Sequence, residues 1–350
     1  ARLIKQTLPE ASVVLGGPQA SLMPDAGLAA LTDVDFLCRG EGEAVIEVIA
    51  EAVASGDTSQ PVPGASRRMA DGEILTGPRI EPARDLDVHP SPWLSGILDP
   101  AALSESIMLT SRGCPHGCVF CYTPAAFDRQ LRYNSMDRVL EEISYVARRG
   151  SGRLWFADPN FSFSEKRVVG ILEGILHRNL EVEMWIETRA DMLSPELIRL
   201  MKWAGVYLVA MGLESASPNV FPGLDKNLRP ERVREAVRLA LDAGLDVELF
   251  SQYALPNEEP ADAMATLQFV QDCGVKIQGN SNAQQMQIYF GSDICSDHAR
   301  YGVAPLRESF PPYFSIGTEF ETRWMPKHEI DKIKKAWAAA SLDGGKRVVS

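Results

Sequence analysis

The stretch Cys114-Pro-His-Gly-Cys118-Val-Phe-Cys121 places three thiols at a C-x₃-C-x₂-C spacing, directly after the β-like run of residues 106–111. Three cysteines can ligate three irons of a cubane [4Fe–4S] cluster and leave the fourth iron open to a small molecule. A zinc knuckle is the alternative, because His116 inside the loop offers a fourth ligand, and closed structural zinc sites need four. The spacing favours the cluster.

Composition bounds the class of protein. The chain has 350 residues, enough for one large α/β domain and a smaller partner. Its formal net charge of −12 argues against a general nucleic-acid or anionic-membrane binder. The sequence shows no apolar run of transmembrane length and no signal peptide. We therefore expect a cytoplasmic protein without nucleic-acid or membrane partners.

Cysteine usage fits a reducing compartment, because six cysteines in so long a chain do not suggest a disulfide framework. Three of the six are scattered: Cys38, Cys273 and Cys295. They lack metal-ligand spacing, so we expect them to be buried apolar residues.

Strand-like and helix-like segments alternate regularly beyond residue 106. The predicted strands span residues 106–111, 153–157, 183–187, 206–211, 246–250 and 285–290. Such units with short connections imply right-handed crossovers and a parallel sheet, here an open or partial barrel. Barrels of this kind carry their chemistry at the carboxyl ends of the strands, and the cysteine loop follows the first one.

The chain divides into four predicted parts. Residues 1–60 alternate strand, helix, strand and helix, and residues 61–103 form a connector rich in Pro and Gly. Residues 104–295 form the barrel, and residues 296–350 a C-terminal helical segment that covers the substrate. Two strands are too few for a stable doubly wound domain. We therefore expect residues 1–60 either to continue upstream or to pack onto the next domain.

The cysteine loop, with Phe120 before its last cysteine, resembles that of radical S-adenosylmethionine (SAM) enzymes, and the resemblance extends over roughly residues 106–295. The first hundred residues resemble the cobalamin-binding subfamily. The resemblance implies an α/β fold, namely a partial (β/α)6 parallel barrel of the radical SAM type preceded by a fragment of a Rossmann-like cobalamin-binding domain. It also implies that Cys114, Cys118 and Cys121 hold the cluster, that the open iron binds the amino and carboxylate groups of SAM, and that reduction releases a carbon radical.

Further SAM contacts are implied by likeness at the other strand ends. Gly212-Leu-Glu-Ser-Ala-Ser217 looks like the family's Gly-Ile-Glu-Ser-Gly-Ser segment, so Glu214 and Ser215 would contact SAM, with Lys226 near the family's downstream lysine. Thr188-Arg-Ala-Asp191 is similar to Thr-Arg-x-Asp, so Arg189 would grip the SAM carboxylate, unless it forms a structural salt bridge to Asp191.

Three more residues complete the implied SAM site. Asn160, in Asp158-Pro-Asn-Phe161, or the backbone groups of this segment would hold the methionyl amine. Phe120 and Tyr122 would flank the adenine, although core packing explains them almost as well.

Leu15-Gly-Gly-Pro18 and Arg39-Gly-Glu-Gly-Glu43 look like the last two strand ends of a cobalamin-binding module. Gly16 and Gly17 would allow close approach of a corrin or its nucleotide tail, or, in a fragment of such a module, would only shape a turn. The subfamily's cobalt-ligand motif, Asp-x-His-x-x-Gly, is missing. Asp87-Val-His-Pro-Ser-Pro92 has Pro where that motif needs Gly, and we interpret it as linker.

The leading hypothesis from the resemblance is a cobalamin-dependent methyltransferase that acts on a small-molecule or peptide natural product. Its cofactors would be a [4Fe–4S] cluster, SAM and cobalamin, and a flavodoxin or ferredoxin would reduce it. A second hypothesis keeps the cluster and SAM without functional cobalamin, for a rearrangement, a cyclisation or 3-amino-3-carboxypropyl transfer. A third, of another class, is a non-catalytic metal-binding or electron-carrier protein.

Overall fold

The computed structural model describes residues 1–56, 60–69, 71–275, 283–307 and 315–343. The strands are β1 Val14–Leu15, β2 Phe36–Cys38, β3 Ala65–Arg68, β4 Ile74–Thr76, β5 Ser106–Met108, β6 Ser111–Arg112, β7 Arg132–Tyr133, β8 Arg153–Phe156, β9 Glu183–Thr188, β10 Val206–Glu214, β11 Asp246–Tyr253, β12 Ala283–Gln285, β13 Val303–Pro305 and β14 Phe320–Thr322. The helices are α1 Arg2–Thr7, α2 Pro18–Leu22, α3 Asp25–Ala30, α4 Gly42–Ser55, α5 Thr123–Ala126, α6 Met136–Arg149, α7 Glu165–His177, α8 Pro195–Trp203, α9 Pro230–Asp242, α10 Pro260–Asp272, α11 Asp293–Ser296 and α12 Lys327–Asp343.

A curled sheet of parallel strands forms the main domain, in the order β12-β11-β10-β9-β8-β5. Helices cross over between neighbouring strands, from α6 before β8 to α10 after β11. The predicted partial parallel barrel is thereby confirmed. Because all strands run the same way, their carboxyl ends gather on one rim.

Alternating side chains give each strand a buried outer face and an inner face. In β9, Met184 and Ile186 are completely buried, whereas Trp185 between them is partly exposed. The outer faces pack on fully buried helix residues such as Ile143 and Ile171 in one continuous core. Each such side chain contributes about 1.5–3 kcal/mol when it is buried.

Helix starts follow the sequence signals closely. Ser135 Oγ accepts the backbone N–H of Arg138, and Ser194 Oγ accepts that of Leu197. An N-cap serine of this kind is worth about 1 kcal/mol. The helix starts at Met136 and Pro195 therefore have a local physical cause.

The last strand of the barrel differs from its predicted position. The prediction placed it at residues 285–290, but the structure pairs Ala283–Gln285 with β11. Beyond Gln285 the chain leaves the sheet, because Ile288 forms an antiparallel bridge with Gly317 instead. The first predicted strand is also divided, since Ser111–Arg112 pairs with β7 in a separate antiparallel ribbon.

The N-terminal unit contains a mixed sheet in the order β1-β2-β3-β4. β1 and β2 are parallel, as predicted, but β3 and β4 add an antiparallel hairpin inside the segment assigned to the connector. All three residues of β2 are buried, so its second edge would carry unpaired backbone groups without β3. The sheet therefore extends to Thr76, beyond the predicted boundary at residue 60.

Ion pairs fix the N-terminal unit to the barrel. Glu41, at the start of α4, bonds Arg132 of β7 and Arg112 of β6, and Arg112 also pairs with Glu43. The side chains of Arg132 and Glu41 are only 6% and 10% exposed. Helix α2 also packs on α5, directly after the cysteine loop. Residues 1–60 thus pack onto the next domain.

Two strands and one helix of the predicted C-terminal segment lie against the barrel. β13 and β14 form an antiparallel pair, and α12 packs on α10. Trp337 of α12 lies edge-on to Tyr253 at the end of β11, with ring centroids 5.0 Å apart. Residues 308–314 and 344–350 of that segment lie outside the described residues. Among the helices of the described ranges, none is long and apolar enough to cross a membrane.

Replacing Glu41 by Gln tests the domain contact. The variant leaves the buried Arg132 guanidinium without its carboxylate, and we expect a loss of about 3–5 kcal/mol in the free energy of unfolding, as for other broken buried pairs. Chemical denaturation measures it. The matched control is Glu196→Gln, which breaks an exposed pair with Arg199 and should change stability by less than about 0.5 kcal/mol. Equal effects in the two variants would contradict a stabilising domain contact.

Candidate active site

The backbone of the cysteine loop is held at both ends. Gly113 has φ +87°, and a Cβ there would lie 1.9 Å from the carbonyl oxygen of Gln130, so only glycine fits. Inside the loop, the N–H of Cys121 donates to the carbonyl of Cys118 over 3.0 Å. The N–H of Val119 donates to Leu224 over 3.2 Å, which ties the loop to the segment after β10.

All three loop cysteines are free and half-buried. Burial raises the pKa of the Cys118 thiol to about 11, against the opposing charge of Lys226. Burial likewise raises the pKa of Cys114. Thiols in such surroundings become thiolates only when a positive charge such as a metal compensates them. The donor set thus suits bound iron better than a free nucleophile.

The spacing of the sulfurs bears on the choice between zinc and a cluster. In the described ranges, Glu41, Glu43 and His89 form the only group of three or more potential ligands whose atoms all lie within 4.8 Å of one another. The three Sγ atoms are therefore spread more widely than the ligands of one ion. Cysteines of a cubane sit on three separate irons, so the spread favours the cluster over the zinc knuckle.

The group of Glu41, Glu43 and His89 is not a convincing metal site. Its two carboxylates already pair with the guanidinium groups of Arg112 and Arg132. The linker interpretation of residues 87–92 remains, and Asp87 serves there as an acceptor for the backbone N–H of Ser135.

A buried ion pair joins the end of β10 to the segment that follows it, beside the cysteine loop. Lys226 Nζ lies 2.9 Å from Glu214 Oε1 and also donates to the carbonyl of Gly212 over 2.8 Å. The amide of Gln252 in β11 donates to the other oxygen of Glu214 over 2.5 Å. Glu214 has φ +64°, a strained backbone conformation for this residue type that its partners help to hold.

Arg189 follows β9 and forms a bidentate pair with Asp191, at 3.0 and 2.9 Å. Its Nη2 also donates to the carbonyl of Lys226 over 3.0 Å. The salt bridge named as the structural alternative is therefore present. Within the described residues Nη1 has no hydrogen-bond partner, which leaves one nitrogen for a ligand.

Asn160 and Ser215 differ in how much of each side chain is engaged by the protein. Asn160 Oδ1 accepts the Thr188 hydroxyl over 3.0 Å, and its amide lies 3.1 Å from the sulfur of Met192. Ser215 is fully buried, and its hydroxyl bonds that of Thr266 in α10 over 3.2 Å. The Ser215 side chain thus anchors the loop after β10, so only the backbone groups of Ser215 are left for contact with SAM.

The two aromatic candidates have different surroundings. Phe120 is partly buried and packs against the main core, as its core-packing alternative proposed. Tyr122 is half-buried, edge-on to Tyr289 with ring centroids 5.7 Å apart. Of the two, Tyr122 is the better placed for contact with a ligand ring.

Gly16 and Gly17 belong to the N-terminal sheet and not to the barrel rim. A Cβ on Gly16 would touch that of Cys38 in β2 at 3.6 Å. Gly17 has φ +87°, and a Cβ there would meet nothing within 4 Å. Gly17 is exposed, and its positive φ is a backbone conformation that favours glycine. Cys38 is buried as expected, whereas Cys273 and Cys295 are half-buried against the core.

Sequence reasoning missed the role of Gln252. Gln252 is two residues from Phe250 and four from Glu248, so all three share one face of β11, and this period of two was the available signal. It could place Gln252 on an inner face, but it could not show Glu214 as its partner.

Several known proteins are similar to this chain in sequence and in fold. Residues 108–270 match the family model of the radical SAM superfamily. The chain is 27% identical over 274 residues to an uncharacterized methyltransferase, PH0819, of Pyrococcus horikoshii, covering 77% of this chain and 60% of that protein. It is 30% identical over 210 residues to the cobalamin-dependent radical SAM methyltransferase TokK of Streptomyces tokunonensis, covering 57% and 29%. The chain therefore spans less than two thirds of each relative.

A solved structure has the same fold. It is the radical SAM methyltransferase TsrM of Kitasatospora setae with cobalamin and a [4Fe–4S] cluster bound. The TM-score is 0.74 with 17% identical residues, covering 99% of this chain and 74% of that one.

Alanine variants test the ligand set. We expect Cys114→Ala, Cys118→Ala and Cys121→Ala each to lose most of the iron and sulfide bound after anaerobic reconstitution, because three thiolates are the only protein ligands of an open cluster. Chemical iron and sulfide assays measure the loss. Cys295→Ala should retain the content of the unmodified protein. Retention of iron by all three loop variants would rule out this ligand set.

Lys226→Met tests the ion pair at the rim. It leaves Glu214 buried without its cation, and we expect a loss of about 3–5 kcal/mol in the free energy of unfolding. The double variant Lys226→Met/Glu214→Gln removes both charges and should recover a large part of that loss. Denaturant unfolding of all forms provides the numbers, and additive losses would contradict the coupling.

Proposed function

We propose that the protein is an enzyme that uses a [4Fe–4S] cluster and SAM, because residues 108–270 match the family model of the radical SAM superfamily, and that it is a cobalamin-dependent methyltransferase. Its substrate would be a small molecule or peptide, with an unactivated carbon or a phosphinate phosphorus as the methyl acceptor. A small electron carrier of the flavodoxin or ferredoxin type would supply the electrons.

One observation carries the proposal: three half-buried thiols lie beside a rim of paired charges at the carboxyl ends of the strands. Cys114, Cys118 and Cys121 would hold the cluster. When bound, the cluster supplies the electron for reductive cleavage of SAM, and cobalamin would carry the methyl group.

The side chains of the rim have the complementary chemistry for the amino acid end of SAM. The free Nη1 of Arg189 can donate to a carboxylate, while its pair with Asp191 keeps the guanidinium oriented. Glu214, held by Lys226 and Gln252, can accept from an ammonium group or a ribose hydroxyl. Tyr122 offers a ring beside the loop. These residues bind and orient SAM, and burial of the rim keeps water from it.

Methyl transfer is supported by the relatives named as methyltransferases. Cobalamin is supported by the likeness in fold to a cobalamin-bound methyltransferase structure, and the exposed Gly17 at the carboxyl end of β1 presents no side chain to a ligand. These supports are independent of the cysteine loop, so they can be tested separately from SAM cleavage.

Arg189→Lys tests the proposed SAM contact. The variant keeps the positive charge but loses the fork, so we expect formation of 5′-deoxyadenosine or S-adenosylhomocysteine to fall about tenfold or more, equivalent to about 1.4 kcal/mol or more of binding. Liquid chromatography after anaerobic reduction with dithionite measures both products. Arg199→Lys, on the exposed side of α8, should leave the rate unchanged.

Corrin binding separates the two enzyme hypotheses. We expect the full chain to bind hydroxocobalamin, and Gly17→Val to weaken that binding at least tenfold, because a side chain would fill the open space at residue 17. Absorption spectra after gel filtration detect the bound corrin. SAM cleavage without any bound corrin would instead support rearrangement, cyclisation or transfer of another SAM-derived group.

A further inference from the structure

We propose that the inner face of the barrel contains a binding subsite for a protonated amine, formed by Glu187, Glu248 and the stacked pair Trp155 and Trp185. This inference rests on the function proposed above, because it assigns the substrate of that enzyme a class: a molecule with a primary or secondary ammonium group. The argument uses strand register, burial and unpaired polar groups.

Register places the four side chains on one face of the sheet. Trp155 of β8 lies opposite Trp185 of β9, and the rings stack with centroids 5.0 Å apart and 14° between planes. Glu187 follows Trp185 by two residues, so it shares that face. Glu187 lies opposite Ala210 of β10, and Ala210 lies opposite Glu248 of β11. Residues opposite each other in a sheet point the same way.

This face is the inner one, and it is open. The opposite face carries the fully buried Ile186 and Met211, which belong to the core beneath the helices. On the inner face, Ile107 of β5 lies opposite Trp155 and is 51% exposed. A ligand can therefore reach the tryptophan pair from the interior of the barrel.

Two polar groups on this face lack a partner. Glu248 is only 6% exposed and has no hydrogen-bond partner among the described residues, while its carboxylate oxygens keep some contact with the barrel interior. The indole N–H of Trp185 is also buried without a partner in the described ranges. Glu187 accepts the indole N–H of Trp155 over 3.0 Å, which leaves its second oxygen available. Unpaired buried polar groups cost free energy that a complementary ligand recovers.

The carboxylates of Glu187 and Glu248 require a cation as their binding partner. Within the described residues, neither Glu187 nor Glu248 has a salt bridge, and Lys226 is committed to Glu214. Burial and the charge of Glu187 raise the pKa of Glu248 to about 7, so the empty pair is poorly stabilised when fully ionised. An ammonium group would stabilise both carboxylates and could also contact the face of a tryptophan ring.

The subsite connects to the rim along one strand. Glu248, Phe250 and Gln252 are every second residue of β11 and therefore share its inner face. Gln252 donates to Glu214 at the proposed SAM site. Four residues of strand correspond to roughly 13 Å. If the amine of a substrate binds at the subsite, an atom of that substrate about 13 Å from the amine lies at the rim. The reacting atom would therefore be about 13 Å from the amine.

Probe binding to the reconstituted full chain tests the subsite, with benzylamine as the cation and benzyl alcohol as its neutral counterpart. We expect ligand-detected NMR titrations to show benzylamine binding, with benzyl alcohol at least tenfold weaker. Glu248→Gln and Glu187→Gln should each weaken benzylamine binding at least tenfold. The matched control is Glu173→Gln, an exposed carboxyl on the outer helix α7, which should change binding less than twofold.

Three results would overturn the subsite: no binding of benzylamine, equal binding of benzyl alcohol, or undiminished binding by both barrel variants. If Glu248→Gln does not fold by circular dichroism, Glu187→Gln and the alcohol comparison decide the question. Failure of the unmodified protein to cleave SAM would refute the proposed function alone, because probe binding requires no turnover.

Discussion

The buried ion pair between Lys226 and Glu214 is the contact on which the rim of the barrel depends. Both side chains are less than a tenth exposed, at 6% and 8%. The pair connects three strand ends: Gln252 of β11 bonds Glu214 at the end of β10, and Arg189 after β9 bonds the carbonyl of Lys226. A buried charge that loses its partner costs about 3–5 kcal/mol, so these groups stay together or the rim rearranges.

The cysteine loop is positioned by the same segment. Val119, between the second and third cysteines, donates to the carbonyl of Leu224, two residues before Lys226. Gly113 fixes the other end of the loop against the carbonyl of Gln130. The thiols and the charged groups opposite them are therefore parts of one hydrogen-bonded arrangement. A site preorganised in this way needs little adjustment when its cofactors bind.

The two faces of the barrel strands perform different tasks. The outer face is mostly apolar and packs beneath the helices, which provides most of the stability. The inner face carries Trp155, Trp185, Glu187 and Glu248, whose polar groups are incompletely paired. Incomplete pairing lowers stability, and a protein tolerates it where a ligand will complete the set. The stability provided by the apolar core thus offsets the free-energy cost of the unpaired polar groups on the inner face.

The sequence by itself determined the cysteine spacing, the alternation of strands and helices, and local signals such as the Ser135 cap, because each depends on neighbours within a few residues. It placed Arg189 and Glu214 at strand ends for the same reason. Only the tertiary structure decided that β3 and β4 complete the N-terminal sheet and that Glu187 shares a face with Glu248. Those facts depend on which strands pair and in what register, and local periodicity leaves both open because a shift of one residue reverses every side chain.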